Sequence, residues 1–397
     1  MLSKLSIPRP DILLFAPTHA GGLAEYSFYQ GRALHQQGIR VTCLAARDYL
    51  SCRECPFPIH RVLSAPSPTG RTRLSRRLNH VIVLLKNQFH LAWWVLRMRP
   101  RLVLVDAFAE YLSPLWFFPH TLLVWILGIH YASNLHDPVR DFQLGPTWWH
   151  RLSVRFAYLP LNFVLVHDKL PEPSPVPHNV QVFHVPHGLY ELPVPTRSRE
   201  DVRAEWGALP HQRVFLSFGY VRDGKNLDLA IRALRSVRDA FLVIAGKLQS
   251  SQDRPFVYYR ELAEHEGVAD RVHIHEDFIP DGDVGNYFSG ADVILLCYSA
   301  AFHSQSGVLN LAASARKPVL ASAAPSPLVD AVRNFQLGVV QPPDSAEALV
   351  VGMNLLAEQS IQPRWDDYEA FASWPMNAAI VLEAANLSPV ERRVCEL

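Results

Sequence analysis

Two cations three residues apart, Arg222 and Lys225, follow directly on the apolar run VFLSFGYV (214–221) and enclose a glycine, Gly224. A guanidinium can grip phosphate oxygens through two hydrogen bonds, and an ammonium adds a point charge. Placed just after a strand, the pair can neutralise a diphosphate and stabilise it as a leaving group. As ordinary surface charges they would mark only a solvated turn. A second cluster, YSAAFHSQSGVL (298–309), follows the run VILLCY (293–298) and leads into a helical stretch that ends near Ala315. Here Tyr298 and His303 precede three small or polar residues, Gln305, Ser306 and Gly307. Backbone N–H groups at such a helix start bind phosphate oxygens. Simple capping by Ser304 or Ser306 is the plain alternative.

A third junction, PTHAGGLAE (17–25), places Gly21 and Gly22 between an apolar run and a helix that continues to about Gln37. Glycines there allow close approach to the backbone, and the helix start favours an anion. Histidines supply the remaining candidates. In HYASNLHDP (130–138), His136 can polarise a hydroxyl, and Asp137 can fix its tautomer. His130 is an alternative for that role, and a capping loop is the structural one. His187, in VPHG (185–188), reads first as part of a structural turn and second as a site contact. Asp281-Gly282-Asp283 spells a motif that binds divalent metal in some proteins, but a helical pattern follows it. It reads as an N-cap, and no metal is expected. Cys52 and Cys55 form a single CxxC without a second pair and read as a surface loop.

These junctions need elements to hold them. The 397 residues suffice for two domains; 49% are hydrophobic and 19% charged, a globular balance. The net charge of +1 gives no overall field for nucleic acid. Five sparse cysteines fit a reducing compartment, and neither a leader nor a spanning segment is expected. Short Val-, Ile- and Leu-rich runs without polar alternation recur at 12–17, 41–46, 102–107, 122–130 and 163–168. They recur again at 214–221, 241–247, 272–279, 293–298 and 318–323. Such runs, separated by helical patterns, predict parallel strands buried on both faces in two doubly wound α/β domains. Prolines between 171 and 195 separate the two series, and the linker is placed at 189–198.

The three junctions, in this order and spacing, resemble the retaining GT-B glycosyltransferases of the GT4 type, over roughly residues 10–385. GGLAEYSFYQGRALHQQGIRVTCL resembles the family's N-terminal Gly-rich loop and helix, SFGYVRDGKNLDLAIRAL its diphosphate-binding segment, and ADVILLCYSAAFHSQSGVLNLAASARKPVLAS its donor-binding segment. The resemblance implies two Rossmann-like domains facing a cleft. The acceptor-side domain would be 1–190 and the nucleotide-sugar domain 199–365, with a helical segment at 366–397 crossing back onto the first. It implies that Arg222 and Lys225 hold the donor diphosphate, that Gln305, Ser306 and Gly307 meet the phosphates, and that Gly21 and Gly22 face donor and acceptor. His136 is similar to the family's acceptor-side histidine. The implied reaction retains anomeric configuration without a metal or other cofactor, with a glycan, lipid-linked or small-molecule acceptor. The Glu-x7-Glu pair of many members is replaced by His303 and Leu311. A nucleotide-sugar epimerase or hydrolase on the same fold, or a non-catalytic nucleotide-sugar-binding partner, are the competing readings. Between Arg71 and Arg101 eight basic residues lie among apolar and aromatic ones with no acidic residue. Such a stretch can rest on an anionic membrane surface, so the expected location is cytoplasmic and peripheral on the inner face.

Overall fold

The computed structural model describes residues 9–19, 21–50, 54–65, 73–106, 110–136, 145–167, 170, 174–250, 252–358 and 361–388. Asp137 and Cys52 lie outside the described residues. The chain forms two compact units, one built from residues up to Gly188 and from Ser373 onward, the other from Leu189 to Ala372.

In the first unit the elements run β1 (Ile12–Ala16), α1 (Gly22–Gln36), β2 (Val41–Ala46), β3 (Ile59–Leu63), α2 (Arg73–Met98), β4 (Leu102–Val105) and α3 (Ser113–Leu127). They continue with β5 (His130–Leu135), α4 (Thr147–Ala157), β6 (Phe163–Val166) and β7 (Gln181–His184). The strands make one parallel sheet in the order β3-β2-β1-β4-β5-β6-β7. The second unit runs α5 (Arg199–Trp206), β8 (Arg213–Phe218), α6 (Leu227–Ala233), β9 (Ala240–Ala245), α7 (Phe256–His265), β10 (Val272–His275) and α8 (Asp281–Gly290). It continues with β11 (Val293–Cys297), α9 (Gly307–Ser314), β12 (Val319–Ser322), α10 (Pro327–Asn334), β13 (Gly338–Gln341), α11 (Ala346–Glu358) and α12 (Trp365–Phe371). Its sheet is parallel, in the order β10-β9-β8-β11-β12-β13. The last helix, α13 (Trp374–Ala384), belongs to the first unit.

The side-chain alternation explains the apolar runs. Leu216, Val243 and Ile294 enter one core of the second unit, and their neighbours Phe215, Leu242 and Leu295 enter the core on the other face. Both faces are therefore covered, as parallel sheets require. Three of the strands without a matching run, β3, β7 and β13, are edge strands whose residues are mostly half-buried or exposed. An edge strand needs less apolar surface, so its sequence signal is weaker.

Several expectations are corrected. The run 122–130 is helical as far as Leu127, and the strand occupies His130–Leu135 instead. An unbroken apolar run does not by itself separate a helix from a buried strand. The stretch 189–198 is a packed part of the second unit. Leu189 N–H donates to the Ala372 carbonyl (3.0 Å), and Asn286 Oδ1 accepts from the N–H of Thr196 and of Arg197 (2.9 and 3.1 Å). Chain 366–372 also stays in the second unit, so the return starts at Ser373 rather than 366. At α8 the cap position is Pro280; Asp281 and Asp283 lie in the first turn, where their charge suits the helix dipole.

Within the first unit α13 is tied to α1 through buried polar groups. Asn377, fully buried, accepts from Gln30 Nε2 (2.9 Å) and donates to the Tyr26 hydroxyl (2.8 Å) and the Pro186 carbonyl (2.9 Å). Trp374 stacks on Tyr29 with ring centroids 5.5 Å apart. Asn377→Ala is expected to lower the unfolding free energy by about 2–3 kcal/mol, because it strands buried partners. Urea unfolding checks this, and an unchanged midpoint would remove the network from the stabilising set.

Candidate functional site

In the second unit the order of strands reverses between β8 and β11, which lie side by side although β9 and β10 come between them in the sequence. Ligands of such sheets bind outside the carboxyl ends at that point. Both cation-bearing and small-residue junctions emerge there. Arg222 and Lys225 leave β8, and residues 298–307 leave β11.

The two loops are bonded to one another. Ser299 N–H donates to the Gly224 carbonyl (2.9 Å). Asp344, just beyond β13, accepts from Asn226 Nδ2 (2.8 Å) and from Ala300 N–H (2.9 Å). Tyr298 and Phe302 stack at 3.9 Å, and the Arg222 guanidinium carbon sits 5.9 and 6.0 Å from their ring centroids. Lys225 is half-buried, and its Nζ donates to the Phe218 carbonyl at the end of β8 (2.6 Å). Desolvation and the neighbouring Arg222 push its pKa down to about 7. Gly219, at φ +86°, turns the chain out of β8; a Cβ there would lie 3.8 Å from Lys225 Nζ and 4.0 Å from Val308 Cγ2.

Ser306 is the cap residue of α9, yet its hydroxyl makes no cap bond and pairs with the Tyr298 hydroxyl at 2.9 Å. Gly307 is exposed as the first residue of α9, and Gln305 is half-buried beside it. His303 is exposed on the same loop, whereas Leu311 packs against the core. Arg222, Lys225, Tyr298, Gln305, Ser306 and Gly307 are thus gathered at one edge of one sheet.

The first unit holds the remaining candidates at the carboxyl ends of four successive strands. Asp106 follows β4, His136 follows β5, His167 follows β6, and His187 lies three residues beyond β7. His136 Nε2 lies 3.3 Å from Asp106 Oδ1, and its Nδ1 lies 3.3 Å from His167 Nε2. His167 Nδ1 is 3.1 Å from the Val185 carbonyl, and His187 Nδ1 is 3.1 Å from the Gly188 carbonyl. Tyr26, carried by α1 just after Gly21 and Gly22, meets the rings of His136, His167 and His187 edge-on at 4.6, 5.1 and 5.2 Å. Gly21 has φ +82° and open space where a Cβ would stand, so backbone conformation rather than crowding calls for glycine there. Gly22 opens α1 with the same open space. His130 stands at the amino end of β5, the opposite edge of the sheet from His136, and is not gathered with this group.

Hydrogen-bond polarity orders the histidines. A carbonyl only accepts, so His167 donates from Nδ1 to Val185. Burial, then His136 and His187, hold its pKa well below the usual value, so the ring is neutral and its Nε2 accepts. His136 must then donate from Nδ1 to His167, leaving its Nε2 to share a proton with Asp106. Desolvation raises the pKa of Asp106, and the hydrogen bond with His136 opposes that rise. Burial likewise lowers His187 to about 4. Both ring nitrogens of His136 are therefore engaged within the protein. Sequence reasoning missed Asp106, His167, Tyr26 and Asp344. The first two had a readable signal, since each directly follows an apolar run, as His136 follows β5. Among the described residues, no group of three or more His, Cys, Asp or Glu is placed to hold a metal ion.

The second unit can be compared with known proteins on this basis. Residues 198–370 match the family Glycosyl transferases group 1. The matched group 1 segment contains both junctions at the β8–β11 switch. No curated protein matches the sequence. Solved structures that resemble the whole chain are GT-B proteins. Sucrose-phosphate synthase (tll1590) from Thermosynechococcus elongatus is 17% identical, covering 95% of this chain and 98% of its own, with a TM-score of 0.66. Anabaena Alr3699/HepE in complex with UDP is 16% identical, covering 95% and 98%, with a TM-score of 0.67. The same protein is also solved with UDP-glucose. A putative UDP-N-acetylglucosamine 2-epimerase from Listeria monocytogenes is 13% identical, covering 95% and 94%, with a TM-score of 0.56. The fold of this chain is accordingly GT-B, with two Rossmann-like units.

The polarity argument makes a direct prediction. In protein labelled with 15N-histidine, long-range 1H–15N correlation near neutral pH is expected to show His167 as the neutral Nδ1–H tautomer, assigned with His167→Gln. A ring at 167 carrying its proton on Nε2 would overturn the order of donors.

Proposed function

We propose that this chain is a glycosyltransferase that moves a sugar from a nucleoside-diphosphate sugar onto a hydroxyl of a glycan, lipid-linked or small-molecule acceptor. The observation that carries the reading is the convergence of Arg222, Lys225 and the start of α9 on the switch between β8 and β11. A diphosphate seated there meets a guanidinium, an ammonium and helix N–H groups at once. The UDP and UDP-glucose complexes of Alr3699/HepE support a nucleotide-sugar donor.

In the proposed reaction the bond from the anomeric carbon to the diphosphate oxygen breaks, and the acceptor oxygen forms a new bond on the same face. The departing diphosphate takes the acceptor proton, so configuration is retained without a strong protein base. Positive charge from Arg222, Lys225 and the α9 start stabilises the leaving group, a task a metal ion performs in other transferases. His136 serves on the acceptor side, held by Asp106 and His167. The same cradle would suit an epimerase or hydrolase, but His303 and Leu311 stand where carboxylates would face the sugar. Product analysis after incubation with donor separates these outcomes. The enzyme is further proposed to work peripherally at the cytoplasmic face of a membrane, supported by the acid-free basic stretch from Arg71 to Arg101.

Arg222→Ala is expected to weaken UDP binding by about 1.5–3 kcal/mol, measured by calorimetry. Unchanged affinity would remove the donor-site assignment. Lys225 has its own signature. Free, its pKa lies at about 7; a bound anion raises it, so binding takes up a proton. Affinity should therefore fall as pH rises above about 7, and Lys225→Met should flatten that fall. Calorimetry in buffers of different ionisation enthalpy reads the proton uptake, and none in the wild-type protein would count against Lys225 as a phosphate contact.

A further inference from the structure

The exposed apolar surface is unevenly distributed. Of twenty exposed large hydrophobic side chains among the described residues, eleven lie on α2, α3 and α4 of the first unit. These helices are neighbours: α3 packs against α2 on one side and against α4 on the other. On α2, Leu78, Ile82, Phe89, Trp93 and Leu96 are each more than half exposed. At 3.6 residues per turn their spacing keeps them within an arc of roughly 60°, so they form one stripe along the helix. On α3, Phe118, Trp125 and Ile126 are 65%, 81% and 60% exposed, and on α4 Trp148 is 65% exposed.

The charge on the same helices is of one sign. None of the three contains an aspartate or glutamate, and α3 carries no Lys or Arg either. Lys86 and Arg97 are exposed beside the α2 stripe. On α4, Trp148, Arg151 and Arg155 are exposed at spacings of three and four residues, which places them on one face. No helix among the described residues is long and apolar enough to cross a membrane. A water-facing surface gains nothing from Trp125 or Phe118, and a protein partner matched to this face would have to be both apolar and acidic. A bilayer with anionic lipids presents that combination, with negative headgroups above an apolar boundary and a place for indole rings between them.

We propose that α2, α3 and α4 form the face by which this chain lies on an anionic bilayer, with Trp93, Phe118, Trp125 and Trp148 entering the headgroup boundary and Lys86, Arg97, Arg151 and Arg155 pairing with lipid anions. This extends the peripheral placement of the transferase to a defined surface. It rests on that placement, but its test needs no donor and no turnover. The acceptor class it favours is a lipid-linked or membrane-presented glycan.

The experiment is flotation of the full chain with phosphatidylcholine vesicles and with mixed phosphatidylcholine–phosphatidylglycerol vesicles, at low and high salt. Flotation is expected with the mixed vesicles only, falling as salt rises, with a blue shift of tryptophan emission. The triple variant Arg97→Glu, Arg151→Glu, Arg155→Glu should bind at least about fivefold more weakly per charge lost. Phe118→Ser with Trp125→Ser should lose binding while keeping the circular dichroism spectrum, since both side chains are exposed. Three results overturn the proposal: no flotation with either vesicle, equal flotation of the wild type and the charge-reversed variant, or a concentration-dependent dimer in solution that the Phe118→Ser, Trp125→Ser variant abolishes. Loss of sugar transfer with flotation intact would instead tell against the catalytic reading alone.

Discussion

A parallel sheet covered by helices on both faces has one open frontier for ligands, the carboxyl edge of its strands. Both units of this chain obey that constraint. The alternation of Phe215 and Leu216, or of Leu242 and Val243, sends neighbouring side chains into opposite cores. Polar chemistry is thereby expelled to the strand ends. Where the strand order reverses, between β8 and β11 in the second unit and β1 and β4 in the first, the helices leave to opposite sides and the loops stand apart. Arg222, Lys225 and the start of α9 occupy one such place. Gly21 and Gly22 lie beyond β1 and Asp106 beyond β4.

The two edges solve the cost of buried polarity differently. In the second unit Lys225 is kept near its titration point by desolvation and by Arg222, with the Phe218 carbonyl on its ammonium. An ammonium held this way is poised to accept an anion, because an arriving negative charge relieves both causes of its depressed pKa. In the first unit the polar groups satisfy each other. Asp106, His136, His167 and the Val185 carbonyl form a chain of hydrogen bonds whose direction is set from the carbonyl as far as His136, and Tyr26 packs edge-on against the histidines. Removing any one member leaves a buried neighbour without its partner, which favours a rigid arrangement. Asn377 extends the same logic to the last helix, binding Tyr26 through its hydroxyl.

Surface composition adds a separate level of organisation. The cores account for Leu91 and Val95 on α2, which are buried, but not for Trp93 and Leu96 on the other side of that helix. A helix apolar on both sides, flanked by arginines and lacking acids, has more apolar surface than folding uses. That excess is concentrated on α2, α3 and α4, while the basic residues at the end of β8 are few and set among loops.

The physical reasons divide what could be read along the chain from what could not. Central strands such as β8, β9 and β11 are legible because burial on both faces demands unbroken runs of Val, Ile and Leu. The Arg222–Lys225 junction is legible because it follows such a run directly. Edge strands β3, β7 and β13 leave no such mark, and the apolar run at 122–127 is helical because helix and buried strand share that composition. Sequence by itself therefore determined the fold class and the place of the Arg222–Lys225 loop at the end of a central strand. Only tertiary structure decided that Asp106, His136 and His167 come together, that His130 stands at the far edge, and that Asp344 ties two loops. Those relations depend on which strands lie side by side, and strand order arises from packing across the whole sheet rather than from any local run of residues.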